Sequence, residues 1–273
     1  MGSLRAHENA ISKVASVTVF FWIIKILTTA MGESVSDYLV FRFNPYLAVI
    51  GGFLVFAAAL GLQLAVSRYH SSTYWLAVSM VAVFGTMAAD VLHVEFKVPY
   101  LVSTALFAVA LVIVFGAWYR SEGTLSIKEI TTPRRERFYW AAVLATFAMG
   151  TAAGDLAAHT VGMGFLPAGI LFAVLFALPL LARRFLGLEA VTAFWLSYIM
   201  TRPLGASFAD WLGKSEHAGG RGFGDGPVAF VLAVLVVALV TYVSVTGRDS
   251  VQDFSRSSTV ASTGGLLESS TPS

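Results

Sequence analysis

Residues 139–155 read YWAAVLATFAMGTAAGD, an apolar run that carries glycines four residues apart and closes on a carboxylate. The same frame occurs four times when the chain is aligned on Trp22, Trp75, Trp140 and Trp195. Ten residues after each tryptophan stands Gly32, Gly85, Gly150 or Gly205, and fifteen after it stands Asp37, Asp90, Asp155 or Asp210. The residue before each aspartate is small (Ser36, Ala89, Gly154, Ala209), and an aromatic precedes each tryptophan (Phe21, Tyr74, Tyr139, Phe194). Gapless agreement at these positions means that one two-helix unit is used four times.

Composition puts those units in lipid. Of 273 residues, 57% are hydrophobic and 12% charged, with mean hydropathy +0.75, against about 25% charged in a soluble domain. The charge sits in short clusters between apolar runs, and a net charge of +2 does not indicate a nucleic-acid partner. With no cysteine, disulfides, thiolate metal sites and cysteine nucleophiles are excluded. Eight runs can cross a bilayer, which takes about 20 helical residues each: Val14–Tyr38, Pro45–Val66, Thr73–Leu92, Pro99–Tyr119, Arg137–Ala158, Phe165–Leu181, Leu188–Leu212 and Pro227–Val245. Pro167 and Pro179 crowd the ends of the sixth.

The expected fold is an all-α membrane protein, with eight transmembrane helices as four repeated helical hairpins (14–66, 73–119, 137–181, 188–245) in one membrane domain, 14–245. Residues 1–13 form a polar cytoplasmic N-terminus, and the first span, too long for a signal-peptide core, is an uncleaved anchor. Residues 246–273, rich in Ser, Thr and Gly, form a disordered cytoplasmic tail.

Lysines and arginines fix the orientation. Arg5, Lys13, Arg68, Arg120, Lys128, Arg134, Arg135, Arg137, Arg183, Arg184, Arg248 and Arg256 fall on one side, against Arg42, Lys97, Lys214 and Arg221 on the other. Twelve against four predicts that both termini are cytoplasmic.

The repeated glycine and the small residue four later present a small-x-x-x-small face for close helix packing in lipid. The aspartates lie about 22 Å along the helix from the tryptophans, in the outer leaflet if the tryptophans sit toward the cytoplasm. A carboxylate at the bilayer centre costs about 2.5–3.5 kcal/mol, and less toward the interface, so four of them need a partner or must reach the headgroups. Glu33, Thr86, Thr151 and Ala206 sit one turn below the aspartates on the same face, and His93 and His159 flank Asp90 and Asp155. Carboxylates, hydroxyls and imidazoles suit a hard or borderline divalent cation such as Mn²⁺ or Mg²⁺; the alternative makes the histidines solvated interfacial residues. Lys25 and Arg202 lie inside spans, one turn apart in the repeat frame. They are expected either to gate the site or to act as buried counter-ions. Pro203 should kink the seventh span beside Arg202, and the glycines at 219–226 read as a flexible outer loop.

The four segments FWIIKILTTAMGESVSD, YWLAVSMVAVFGTMAAD, YWAAVLATFAMGTAAGD and FWLSYIMTRPLGASFAD resemble a family of bacterial multi-spanning proteins catalogued as uncharacterised membrane-anchored proteins. The similarity runs from about Lys13 to Val245 and includes WYRSEGTLSIKEITTPRRERFYWAAVLATFAMGTAAGD. It implies a multi-pass protein of the bacterial inner membrane and brings no reaction or ligand with it.

The expected function is therefore secondary transport or export of a small cation, a divalent metal of the Mn²⁺ type, with proton coupling as an option. The metal residues are Asp37, Asp90, Asp155, Asp210, Glu33, His93 and His159, and Lys25 and Arg202 form the gating or charge-pair set. The cation is cargo and no cofactor is expected; the partners are the bilayer and the cation, and a homo-oligomer is left open. The rival reading is a membrane scaffold or sensor with a structural ring of aspartates. An intramembrane enzyme is disfavoured, because no nucleophile and base recur in helical register.

Overall fold

The computed structural model describes residues 12–94 and 96–249. Arg5, Arg256, residues 1–11 of the expected N-terminus and residues 250–273 of the expected tail lie outside the described residues. Eight long helices follow in order: α1 Val19–Arg42, α2 Pro45–Ala65, α3 Ser71–Val94, α4 Tyr100–Glu122, α5 Pro133–Asp155, α6 Phe165–Leu186, α7 Ala190–Gly213 and α8 Asp225–Thr246. A chain in hydrocarbon must satisfy its backbone within each segment, which leaves the helix as the element for runs of this kind.

Local chemistry sets the boundaries. The Thr18 hydroxyl accepts from the Phe21 N–H, so α1 starts five residues later than the apolar run. Thr132 caps α5 with Pro133 at its first position, which starts that helix before Arg137. Gly123, Gly187 and Gly247 end α4, α6 and α8 in the left-handed conformation, with φ of 69°, 74° and 70°. α6 continues through Pro179 to Leu186, and α7 continues through Pro203 as one helix.

α1, α3, α5 and α7 form a closed inner ring in which each packs on the next and α7 returns to α1. The even helices lie outside, and each packs chiefly on the odd helix of the following unit: α2 on α3, α4 on α5, α6 on α7 and α8 on α1. The hairpin is thus a unit of sequence but not of packing, and the four units interlock around one axis running along the bundle.

Seven of the eight helices are long and apolar enough to cross a membrane. The most apolar windows of α1 and α3 are 61% buried, whereas those of α2, α4, α6 and α8 are 17–28% buried, so the even helices carry the lipid-facing surface. The exception, α7, holds Arg202 and Asp210 and has fifteen buried residues among its 24. Its neighbours α1, α5 and α6 shield it, and it has no need of an apolar exterior.

The repeated residues form the contacts that close the ring. The aromatic before each tryptophan meets the tryptophan of the next unit: Phe21–Trp75 at 5.6 Å, Tyr74–Trp140 at 5.8 Å, Tyr139–Trp195 at 6.2 Å and Phe194–Trp22 at 5.6 Å between ring centroids. Each glycine likewise faces the next inner helix, three residues earlier in the frame: Gly32 against Ala82, Gly85 against Phe147, Gly150 against Arg202 and Gly205 against Thr29. Pro203 lies beside Gly150 and Gly154, so the small-x-x-x-small face of α5 receives the proline together with the arginine stem.

Three chain segments close the tryptophan end. Lys13 pairs with Glu136, whose other oxygen accepts from Gln63 at 3.3 Å. The Lys13 N–H donates to the Ile130 carbonyl and the Ser16 N–H to that of Asp249. The Asp249 carboxylate in turn accepts from Tyr69 and Ser71.

Gly205→Ala, whose methyl would meet the Thr29 side chain and, at 2.8 Å, the Ala30 nitrogen, should cost about 1–3 kcal/mol as overpacking. Gly61→Ala, with no atom within 4 Å of the added carbon, should be neutral or slightly stabilising. Thermal unfolding of the purified protein in detergent checks both; equal melting temperatures for the two variants would contradict the interlocked ring.

Candidate functional site

Inner-helix residues four apart point toward the common axis, so each position of the frame forms a level of the bundle. From the tryptophan end upward, the levels are Phe21, Tyr74, Tyr139, Phe194; then Lys25, Val78, Val143, Tyr198; then Thr29, Ala82, Phe147, Arg202; then Glu33, Thr86, Thr151, Ala206; and last the four aspartates. All residues of the first four levels are buried.

Among the described residues Lys25 has no carboxylate partner. Its Nζ lies 3.9 Å from the Phe147 ring centroid and 4.3 Å from that of Tyr198, a cation–π seat between α5 and α7, and it has no hydrogen-bond acceptor. The Arg202 guanidinium lies 5.7 Å from the same Phe147 centroid, so this ring attracts both cations.

Arg202 organises the next level. Its Nη2 donates to Glu33 Oε2 at 2.5 Å, to Thr151 Oγ1 at 2.9 Å and to Thr86 Oγ1. Glu33, Thr86 and Thr151 are the same repeat position in the first three units. The fourth has Ala206 there, and Arg202, one turn earlier on that face, supplies the group that gathers the other three. The arginine is 1% exposed, and breaking such a pair leaves an uncompensated buried charge.

Above it, Glu33, Asp37 and Asp210 are all buried and each offers a carboxylate oxygen within 4.8 Å of the others, close enough to bind one cation. Lys214, just past α7, joins this group. Its Nζ pairs with Asp37 and lies 3.3 Å from Asp225 and 3.9 Å from Asp210. Burial alone would lower the Lys214 pKa, but the charges of Asp37, Asp210 and Asp225 outweigh it and raise the pKa, so the ammonium stays charged through the physiological range.

Asp90 and Asp155 stand at the same level, partly buried. They feel the field of Glu33 and Asp37, and Asp155 that of Lys214, without entering the three-carboxylate group. Immediately after Asp155 the helix widens into a π-turn, Leu156–Thr160, which sets the third unit apart. The carboxylate group contains neither histidine. His93 bonds the Val98 carbonyl through Nδ1 at 3.0 Å and Ser103 Oγ through Nε2 at 3.4 Å. His159 is exposed. Tyr100 lies between the two rings, 4.2 Å from His93 and 5.9 Å from His159, so they belong to an aromatic rim.

Sequence reasoning counted Lys214 only as a topological charge and did not single out Asp225. The four-residue spacing of Asp210 and Lys214 was the available signal for the first. Asp225 reaches the site because the 214–224 loop folds back on α7: the N–H groups of Arg221, Gly222, Phe223 and Gly224 donate to the carbonyls of Trp211, Lys214, Leu212 and Gly213. The expected flexible loop is thus fastened to a helix end.

Fold and site together define a helical membrane protein built from four interlocked repeats, with a sealed aromatic end and an acidic end. The family described as Repeat of Unknown Function (DUF347) matches residues 20–69, 73–124, 138–187 and 193–249, one match per unit, and the chain belongs to that family. Comparison with curated proteins and with solved structures finds no match.

Arg202→Met should lower stability by about 3–5 kcal/mol, and Glu33→Gln/Arg202→Met by less than the sum of the two single changes, because the charges compensate one another. Unfolding measurements on the four proteins of this cycle test the coupling; strict additivity would contradict it.

Proposed function

We propose that this protein is a secondary transporter or exporter of a small cation, a divalent metal of the Mn²⁺ type, in the bacterial inner membrane with both termini cytoplasmic. The observation that carries the reading is the buried group of Glu33, Asp37 and Asp210, with ligand oxygens within 4.8 Å of one another. Charge adds to it. Glu33, Asp37, Asp90, Asp155, Asp210 and Asp225 stand with Arg202 and Lys214, and when Glu216, Arg42, Lys97 and Arg221 elsewhere at this end are counted, seven carboxylates still face five cations among the described residues, an excess that attracts a positive guest when all are ionised. Oxygen-only ligands suit Mn²⁺ or Mg²⁺ over thiolate-seeking metals.

Twelve basic residues on the tryptophan side against four on the other direct the acidic end to the outer face. With the tryptophan end closed by Lys13–Glu136 and Asp249, the site reads as an outward-facing state of an alternating-access carrier. Protons compete with metal ions for the same oxygens, which gives a route to proton-coupled exchange. Glu33, Asp37 and Asp210 are ligands in this reading, Asp90 and Asp155 attract the ion, His93 and His159 line the rim, and Arg202 forms the cationic floor with Lys25 two levels below Glu33.

The partnering of Glu33 with Arg202 and of Asp37 with Lys214 favours a second reading, a scaffold or sensor whose acidic ring is structural. A strain lacking the gene, grown across a panel of metals with cell metal content measured, separates the two. Transport predicts altered Mn²⁺ tolerance and content, restored by the wild-type gene and restored at least about tenfold less well, in flux, by Asp210→Asn at equal protein level. No difference for any metal, or full restoration by Asp210→Asn, would remove the transport reading.

A further inference from the structure

We infer that Lys214 is a tethered cation occupying the outer edge of the carboxylate site, which the guest must displace, so that the lysine favours a divalent guest over monovalent ions. The inference rests on the cation-carrier reading and deepens it.

The ammonium of Lys214 already sits where a cation is expected, within ion-pair distance of carboxylates from three elements: Asp37 of α1, Asp210 of α7 and Asp225 of α8. Asp37 and Asp210 are also two of the three groups whose oxygens converge with that of Glu33. A metal ion bound by all three would share two ligands with the lysine, and close approach of two cations is strongly unfavourable.

Of the two cations paired with these carboxylates, Arg202 and Lys214, the lysine is the one that can leave. Arg202 is 1% exposed and tied to Glu33, Thr86 and Thr151, whereas the Lys214 side chain is 23% exposed, on a four-carbon stem of freely rotating bonds. Its backbone is held at both sides, Lys214 N–H to the Asp210 carbonyl and Lys214 carbonyl to the Gly222 N–H, so the ammonium can swing out while its anchor stays fixed. The Phe41 ring centroid lies 5.4 Å from Nζ and gives the ammonium a cation–π neighbour on the rim.

Charge turns this arrangement into a filter. Expelling a single positive charge to admit another gains the cluster nothing, whereas a divalent ion leaves it better neutralised. The lysine stays protonated across physiological pH, so protons regulate the site through the carboxylates and not through Lys214.

The test is Mn²⁺ binding to the full-length protein in detergent, followed by the paramagnetic signal of free Mn²⁺, for wild type, Lys214→Met and Lys214→Arg. Lys214→Met should bind Mn²⁺ at least about tenfold more tightly and become sensitive to Na⁺, and Lys214→Arg, which keeps the charge, should resemble wild type. Binding to Lys214→Met alone also supports the tether. Equal or weaker binding by Lys214→Met, with wild type still binding, overturns the tether and leaves the carrier reading intact; binding by none of the three overturns both.

A measurement on wild type does not depend on the variant folding. Mn²⁺ should raise, several-fold, acetylation of Lys214 by a membrane-impermeant amine reagent, read by peptide mass spectrometry. Bound Mn²⁺ with unchanged Lys214 labelling overturns the proposal.

Discussion

The backbone of each inner helix comes close to the next because a glycine stands at the crossing, and the rest of the structure depends on that approach. In lipid no hydrophobic force holds helix to helix, and packing has to do so. Gly32, Gly85, Gly150 and Gly205 each face a residue three positions earlier in the neighbouring frame, and the last of these contacts returns to Thr29 in the first unit. The aromatic pairs Phe21–Trp75, Tyr74–Trp140, Tyr139–Trp195 and Phe194–Trp22 make the same circuit two levels down. Two closed circuits at different heights fix both the order and the register of four helices, so each repeated position becomes a level around a single axis.

A symmetric frame makes no site by itself; the chemistry comes from how the symmetry is broken. Where the frame offers Thr29, Ala82 and Phe147, the fourth unit has Arg202, and where it offers Glu33, Thr86 and Thr151, the fourth has Ala206. One large cation beside one small residue draws the other three units inward. The first unit alone stacks two carboxylates, so Glu33 can face both the arginine below and Asp37 above. Asp37 and Asp210 fall together on adjacent helices with Lys214 between them, whereas Asp90 and Asp155, also on adjacent helices, remain at the same level without joining them.

Much of this was legible in the sequence, for physical reasons that also mark where legibility stopped. The fixed register of tryptophan, glycine and aspartate reveals equivalent positions in the four units, and the four-residue step from Glu33, Thr86, Thr151 and Ala206 to the aspartates reveals a shared face, because helical geometry translates spacing into direction. The span count and the small-residue packing face follow from lipid energetics. The sequence does not reveal which unit neighbours which, since that depends on ring closure: α2 packing on α3 more than on α1 cannot be read from hairpin spacing. For the same reason Lys25 and Arg202 looked like equivalent counter-ions, although one lies over aromatic rings and the other grips a carboxylate. The histidines followed the aspartates in helical register, but Val98 and Ser103, beyond the end of α3, take both ring nitrogens of His93.

The two ends of the bundle differ in what closes them, and that difference bears on how the protein works. At the tryptophan end the closing groups are covalently remote: Lys13 precedes the first repeat, Asp249 ends the last, and Glu136 lies just before the third. The buried Lys13–Glu136 pair, the hydrogen bonds to Asp249 and the aromatic contacts come from several segments there, so in the proposed cycle they would part together. At the acidic end the covering cation is one flexible side chain on a loop fastened to its own helix, so access there needs no rearrangement of the ring. Four glycine contacts lie between the ends, and because their circuit is closed each inner helix is braced on both sides. A closed ring of inner helices between a tied aromatic end and an acidic end is the kind of rigid body that the carrier proposed above would move.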